Sequence, residues 1–170
     1  MLNVSLNFRQ AAYAQETGRV IIALFTIDHE SLSEPIRLSS DPTQRLDEYS
    51  TDQDIVYGTV SRGEKYIFYP MRLKLPDETD EGMGEITIEI DNVHRTLMET
   101  IRNIFTPPAV NTEIVMDNTP DVVEAQWPEF LLTNINYNAS VISGTLRADM
   151  LEKEPFPMGT FNPSYFPSVF

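Results

Sequence analysis

The stretch Glu85-Ile86-Thr87-Ile88-Glu89-Ile90-Asp91 alternates polar and apolar residues without interruption. Successive side chains of a β-strand point to opposite faces, so this alternation is typical of a strand with one face on a core and one face toward water. It predicts a half-buried antiparallel strand and places the chain in a β-rich class.

A helix is predicted directly after this strand. Asp91 or Asn92 can cap its N-terminus, and Pro107-Pro108 ends it because proline disfavours helical backbone in the residue before it. Four apolar residues at helical spacing form one face of this predicted helix: Val93, Leu97, Ile101 and Ile104.

A first helix is predicted upstream, within the first twenty residues. Ser5 can serve as its N-cap, Phe8 and Ala11 recur at helical spacing, and Gly18 stands where a helix stop is expected. The run Arg19–Asp28 that follows is apolar on both alternating faces, which indicates a central strand.

Six further strands are predicted from apolar runs and the turn residues between them. They are Ile36–Ser39, Ile55–Ser61, Glu64–Leu75, Val110–Met116, Trp127–Tyr137 and Val141–Met150. Arg62-Gly63 is a predicted hairpin turn, Pro70 predicts an edge position or a bulge, and Pro76–Gly84 is a predicted loop. Strands without βαβ alternation favour a mainly β, α+β fold with two helices: an antiparallel β-sandwich or barrel decorated by helices.

The C-terminal residues differ in kind from the rest of the chain. The segment 155–170 holds four prolines, four phenylalanines, one tyrosine and no charged side chain. We therefore divide the chain into a core domain, 1–152, and an extended arm, 153–170. The arm docks either on its own core or on a neighbouring subunit, and both alternatives stay open. The predicted subunit contacts are its aromatic residues together with one tryptophan of the core: Phe156, Phe161, Tyr165, Phe166, Phe170 and Trp127.

Composition excludes several classes of partner. The 26 acidic residues exceed the 12 basic ones and leave a net charge of −14. Binding to phosphate backbones or anionic lipids depends on lysine and arginine, so we expect no direct nucleic-acid binding. The longest apolar run, Val20–Phe25, is far shorter than the roughly 20 residues of a membrane span. With no signal-like N-terminus, we expect synthesis in the cytoplasm.

Motifs for catalysis or metal binding are weak in this sequence. His29 lies beside two acidic residues, but neighbouring strand residues point to opposite faces and cannot converge on one ion. His94 falls in the first turn of the predicted second helix. The acidic run Asp77–Glu81 lacks the spacing of a calcium-binding loop, and the chain has no cysteine. We therefore expect a non-enzymatic protein without metal or cofactor. Trp127 is expected to be a core or interface anchor, with a sugar-stacking platform as the alternative.

Several motifs, taken in order, resemble one family. They are Ile88–Arg95 leading into a helix, Pro107-Pro108 before a strand, Thr119–Glu124, and the ending Glu154–Phe170 with Glu-Pro-Phe-Pro and Phe-Pro-x-x-Phe. The chain resembles, over residues 5–170, a family of small bacteriophage proteins of formally unknown function that are encoded with the tail-tip genes of long-tailed phages.

The resemblance implies a component of the distal tail or baseplate. Such ring proteins have a β-barrel or sandwich core and stack as hexamers or trimers; the hexamer is favoured here. The expected function is a homo-oligomeric ring at the virion tail tip, assembled in the host cytoplasm, that links the tail tube to hub and fibre proteins. The alternative is a carbohydrate- or receptor-binding module at the tail tip. A cell-wall hydrolase is disfavoured because the commonest version needs a cysteine nucleophile.

Overall fold

The computed structural model describes residues 4–47, 55–75, 78–79, 82–91, 104, 106–138 and 141–148. Within these residues the chain forms one helix and twelve strands. In chain order they are α1 (Leu6–Tyr13), β1 (Ile21–Asp28), β2 (Ile36–Ser39), β3 (Gln44–Arg45), β4 (Tyr57–Ser61), β5 (Glu64–Phe68), β6 (Met71–Lys74), β7 (Glu78–Thr79), β8 (Gly82–Met83), β9 (Ile86–Asp91), β10 (Ala109–Met116), β11 (Thr119–Tyr137) and β12 (Val141–Ala148).

Ten of these strands form one mixed sheet, in the order β3-β4-β5-β2-β1-β10-β11-β12-β9-β6. The prediction of a mainly β fold is confirmed. The prediction of a wholly antiparallel arrangement is wrong, because β2 and β5 pair in parallel through Leu38–Ile67 and Ser39–Phe68. Parallel neighbours need a crossover connection. Here the crossover connection is the chain between β2 and β5, which contains β3 and β4. The β4–β5 hairpin then brings β5 back to the edge of β2.

Strand β1 lies in the interior of the sheet and is buried on both faces, as its apolar run predicts. Ala23, Phe25 and Ile27 contribute to the main core, whereas Ile22 and Leu24 pack on the other face with Tyr66 and Val115 in a second, smaller core. The main core also includes residues of β2, β9, β10, β11 and β12: Leu38, Ile86, Ile88, Ile90, Val110, Ile114, Ala125, Phe130, Leu132, Ile142 and Leu146. In β9, Ile86, Ile88 and Ile90 are buried, which confirms the predicted alternation.

Two fully buried threonines differ in how their hydroxyls are satisfied. Thr59 Oγ1 lies 2.8 Å from Ser39 Oγ and 2.8 Å from Thr43 Oγ1, and it donates to the Asp41 carbonyl. Thr112 Oγ1 has no hydrogen-bond partner among the described residues. A buried hydroxyl without a partner loses its hydration and gains nothing in return.

We therefore expect opposite results from the same substitution at the two sites. Thr112→Val should raise the free energy of unfolding by about 1 kcal/mol, because it removes an unsatisfied polar atom at nearly constant volume. Thr59→Val should lower it by about 1–2 kcal/mol, because it strips Ser39 and Thr43 of a partner. Urea unfolding measures both changes, and a loss of stability in Thr112→Val would contradict the prediction.

Helix α1 is shorter than predicted. Ser5 caps it as expected, since its hydroxyl accepts a hydrogen bond from the Phe8 amide. The helix ends at Tyr13, however, and the stop predicted at Gly18 is wrong. Ala14 adopts extended backbone and ends the helix, while its amide still donates to the Gln10 carbonyl. Phe8 of the helix packs against the main core.

Three predictions on the connecting segments have different outcomes. The predicted second helix lies outside the described residues, apart from Ile104. The segment predicted as a loop, Pro76–Gly84, contains the small hairpin of β7 and β8. The hairpin around Asn138 is confirmed: the Asn138 amide donates to the Val141 carbonyl, and its Oδ1 accepts from the Val141 amide.

The predicted strand Glu64–Leu75 is divided at Tyr69-Pro70 into β5 and β6, as Pro70 led us to expect. The Tyr69 amide donates to the Ser39 carbonyl of β2, and the Pro70 carbonyl accepts from the Asp91 amide at the end of β9. One extended stretch therefore joins two strands that are far apart in the strand order. Burial raises the pKa of Tyr69 at this junction.

Strand β11 begins eight residues earlier than predicted and contains two residues with left-handed backbone. Glu129 and Asn134 have φ angles of 56° and 52°, and the pairing shifts register close to both. A residue with left-handed backbone inside a strand is typical of a β-bulge, which increases the twist of the strand. Asn111 Oδ1 accepts the Glu129 amide hydrogen and satisfies that backbone group.

The β4–β5 hairpin is fastened across the second core by its turn. Arg62 and Gly63 have φ angles of 51° and 82°, as the predicted two-residue turn requires. The Arg62 guanidinium donates two hydrogen bonds to the buried Glu113 carboxylate of β10, which raises the pKa of Arg62. The Arg62 amide donates to Asp121, and Ser61 Oγ donates to the Pro120 carbonyl. We call these interactions the Arg62 clasp.

Candidate interaction surface

Five of the eight large apolar side chains that are exposed among the described residues lie near one end of the sheet. Leu6 and Tyr13, the first and last residues of α1, are 69% and 88% exposed. Val20, Ile21 and Val122 are 44%, 48% and 49% exposed. We call these five residues the apolar end surface. Apolar side chains grouped in this way are typical of sites where another molecule binds.

Backbone pairing brings Val20, Ile21 and Val122 to the same end. Ile21 pairs with Met116, the last residue of β10, and the Asp117 amide donates to the Val20 carbonyl. Strand β11 begins directly after this turn and carries Val122. The starts of β1 and β11 therefore adjoin the end of β10.

A buried carboxylate holds α1 against this end. Glu124 of β11 is only 5% exposed, and its two oxygens accept hydrogen bonds of 2.7 Å from the amide and the hydroxyl of Ser5. The same Ser5 hydroxyl accepts from the Phe8 amide, so one residue joins the helix N-terminus to the sheet. Hydrogen bonds to an ionised acceptor are stronger than neutral ones.

Removal of this carboxylate should release the helix. We expect Glu124→Ala to lower the free energy of unfolding by about 1–3 kcal/mol, because the Ser5 amide loses its partner in a half-buried place. Amide hydrogen exchange in residues 6–13 should become at least about tenfold faster, since local opening then costs less than global unfolding.

The matched control is Gln126→Ala, at an exposed position two residues further along β11. It should leave exchange in residues 6–13 unchanged. Equal protection of α1 in wild-type protein and Glu124→Ala would show that Phe8 packing alone anchors the helix.

A cleft of about 320 Å³ adjoins the apolar end surface, between α1 and the β10–β11 turn. Its lining combines small apolar groups with polar side chains that can donate hydrogen bonds: Asn7, Gln10, Ala11, Ala14, Thr17, Arg19, Met116 and Asn118. Arg19 forms no ion pair with another described residue, since none of the ion pairs there includes it. The cleft therefore places next to apolar surface a cation that no described carboxylate neutralises.

A second cleft, of about 530 Å³, lies beside His29 at the opposite end of β1. His29 Nδ1 accepts from the Ser31 amide, so its Nε2–H faces Thr106 Oγ1 as a donor. Both ring nitrogens are thus used in local hydrogen bonds. Among the residues that the structure describes, no group of three histidine or acidic side chains is placed to hold a metal ion. His94 lies outside them.

The predicted contact residues fall into two sets. Trp127 lies on β11 opposite Thr112, half-buried, and packs against the main core. It is not part of the apolar end surface. The arm aromatics all lie outside the described residues: Phe156, Phe161, Tyr165, Phe166 and Phe170.

Sequence reasoning missed the apolar end surface itself. One sign of this surface was present in the sequence. Helix α1 carries the large apolar residues Leu6, Phe8 and Tyr13 within eight residues, and so short a helix cannot bury all three on one face. Val122 gave no signal, because its neighbour Val123 is equally apolar and only the fold decides which of the two packs against the second core.

The described helix is much too short to cross a membrane. This agrees with the expectation drawn from the short apolar runs.

Comparison with known proteins gives one result. A search of curated proteins finds no match. A family model described as "Domain of unknown function (DUF1833)" matches residues 7–161. This match includes every strand of the sheet, both clefts and all but Leu6 of the apolar end surface. The chain therefore belongs to the DUF1833 family.

Proposed function

We propose that this protein is a structural subunit of a bacteriophage tail tip and forms a homo-oligomeric ring, with a hexamer favoured over a trimer, that links the tail tube to hub and fibre proteins. The proposal makes it a non-enzymatic virion component that is assembled in the host cytoplasm. It rests on the family resemblance of the sequence motifs and on the surface of the folded chain.

The apolar end surface carries the proposal. Leu6 and Tyr13 stand at the two ends of a helix that is fixed to the sheet by a buried carboxylate, so their exposure is not the fraying of a loose segment. Apolar side chains held in water on a fixed scaffold lower the free energy when a partner covers them. A ring provides that cover.

We further propose that the sheet closes into a barrel. The stretch Glu64–Lys74 hydrogen-bonds to β2 through Tyr69 and to β9 through Pro70 and β6. A barrel can close only when its strands are staggered along one another. The extended stretch supplies such a stagger, because its pairing partner changes from β2 to β9 along its length. The main core then fills the interior, and the β4–β5 hairpin covers part of the outside.

The acidic balance supports a place beside a DNA-conducting tube. The net charge of −14 repels phosphate, so DNA would pass without adhering. A cluster of unpaired basic side chains would offset this repulsion. Such clusters are scarce in the described part of the chain, because five arginines are each paired with a carboxylate: Arg37, Arg45, Arg62, Arg72 and Arg147.

The alternative function, glycan or receptor binding, has less support. A sugar-stacking platform needs an aromatic face in water, whereas Trp127 is half-buried against the main core. We therefore interpret Trp127 as a packing residue.

Light scattering and negative-stain imaging of the purified protein test the ring. We expect rings of six or three copies, and their loss in Val122→Glu, because a carboxylate in the apolar end surface has to be desolvated on assembly. The matched control is Ile55→Glu, which changes a similarly exposed apolar residue outside that surface and should leave the rings intact.

Imaging of assembled virions tests the location. Density for this chain at the end of the tail tube is expected, and its absence there would refute the proposal. A monomer that binds glycans would favour the receptor-binding alternative.

A further inference from the structure

We propose that the apolar end surface and its adjoining cleft form the receptor for the aromatic part, residues 155–170, of the C-terminal arm of a neighbouring copy. This inference rests on the proposed ring and names the contact that would join one subunit to the next.

The chemistry of the arm complements that of the receptor. Residues 155–170 of the arm have no charged side chain and carry aromatic residues at short intervals, so covering them would remove apolar area from water. The five residues of the apolar end surface are also uncharged. Contact between the two removes apolar area from water without stripping a charge of its hydration.

The cleft complements the backbone of the arm. Four prolines within sixteen residues favour an extended conformation whose carbonyl groups have no internal hydrogen-bond partners. The side chains of Asn7, Gln10, Arg19 and Asn118 provide N–H donors along the cleft. Arg19 can also stack its guanidinium on an aromatic ring.

The arm is long enough to reach another subunit. Strand β12 ends at Ala148, which lies beside Phe130 and, across β11, near Val110. Val110 is six residues from Met116 along β10, so β12 ends about 20 Å from the apolar end surface, measured along the strands. The 22 residues that follow Ala148 span up to about 70 Å when extended.

Ring symmetry favours docking between copies. A closed ring of identical chains uses a heterologous interface, in which one surface of each copy binds a different surface of the next. The arm and the apolar end surface are two such different surfaces. Once the ring closes, every arm is bound and every apolar end surface is covered.

Cysteine crosslinking of the full-length chain tests the inference, because the chain has no native cysteine. Full-length Val122→Cys and full-length Tyr165→Cys chains are mixed and oxidised mildly. We expect a disulfide-linked heterodimer at least tenfold more abundant than in the control mixture of Ile55→Cys with Tyr165→Cys. Excess synthetic peptide of residues 155–170 should suppress it, and Arg19→Ala in the Val122→Cys chain should reduce it at least threefold. Circular dichroism of each variant checks that it is folded.

Three results would overturn the inference: equal crosslinking at Val122 and Ile55, no effect of the peptide, or a Val122→Cys/Tyr165→Cys double variant that closes its disulfide within one chain. The outcome is separable from the ring itself. Crosslinking at Val122 without rings would refute the proposed function alone, whereas rings without this crosslink would refute the arm as their connector.

Discussion

Gly58→Ala is expected to destabilise the protein by about 3 kcal/mol or more, at the upper end of what overpacking costs. A Cβ atom at Gly58 of β4 would lie 2.0 Å from the Tyr66 carbonyl oxygen and 2.9 Å from Leu46 Cδ1. The nearer atom belongs to the backbone of β5 and cannot move aside as a flexible side chain does. The hairpin would have to open, and it covers the second core.

Gly18→Ala is the matched control, because a Cβ at Gly18 meets no atom within 4 Å. Thermal unfolding of both variants measures the difference. Gly18→Ala should melt within a few degrees of wild type, whereas Gly58→Ala should melt far lower or fail to fold. Similar melting temperatures for the two variants would show that β4 and β5 lie further apart than described.

Arg62→Ala is expected to lower the free energy of unfolding by about 2–4 kcal/mol, because it leaves the Glu113 carboxylate buried without its counter-ion. Glu113 is 8% exposed and lies on the same face of the sheet as the second core. The Arg62 guanidinium is partly exposed, which keeps the expected loss below that of a wholly buried pair. Alanine at this turn position has the same backbone strain as arginine and keeps the backbone hydrogen bond to Asp121, so the change isolates the ion pair between Arg62 and Glu113.

Two further variants decide whether the buried charge is the cause. Arg147→Ala breaks an exposed ion pair with Glu85, and we expect it to cost less than about 1 kcal/mol. The double variant Arg62→Ala/Glu113→Leu should recover much of the lost stability, because leucine suits the apolar surroundings that a lone carboxylate does not. A double variant no more stable than Arg62→Ala would show that the clasp acts through turn geometry instead. Chemical denaturation measures all three.

The parts of the fold that were predictable depend on local pattern. The alternation of 85–91 predicted β9, and the two-sided apolar run of 19–28 predicted a central β1. Arg62-Gly63 predicted the hairpin turn, and Pro70 predicted the interruption between β5 and β6. Each of these follows from the side-chain period of a strand or the backbone preference of one residue.

Other parts were not predictable for equally local reasons. The two-residue strand β3 is too short to show a period. The hairpin of β7 and β8 lies in a segment whose glycines and acids are typical of loops. The left-handed residues Glu129 and Asn134 belong to register shifts in the pairing of β11 and not to a turn motif. Strand β2 gave no sign that its parallel partner would be β5.

The candidate site was predictable only in part. The aromatic arm is evident in composition, whereas its proposed receptor is assembled from helix α1, the start of β1 and the start of β11. Trp127 was predicted to be an anchor, and it packs against the main core on a different part of β11.

By itself the sequence determined the β-rich class, the central position of β1, the alternating burial of β9, the capping of α1 by Ser5 and an acidic, cysteine-free chain. Tertiary structure alone decided the parallel pairing of β2 with β5, the Arg62 clasp and the Ser5–Glu124 anchor. Arg62 and Glu113 are 51 residues apart in the chain, and Ser5 and Glu124 are 119 residues apart. The physical reason is that periodicity and backbone preference act over a few residues. Which distant carboxylate meets which donor depends on how the whole sheet is ordered, and that order is fixed only when the cores are packed.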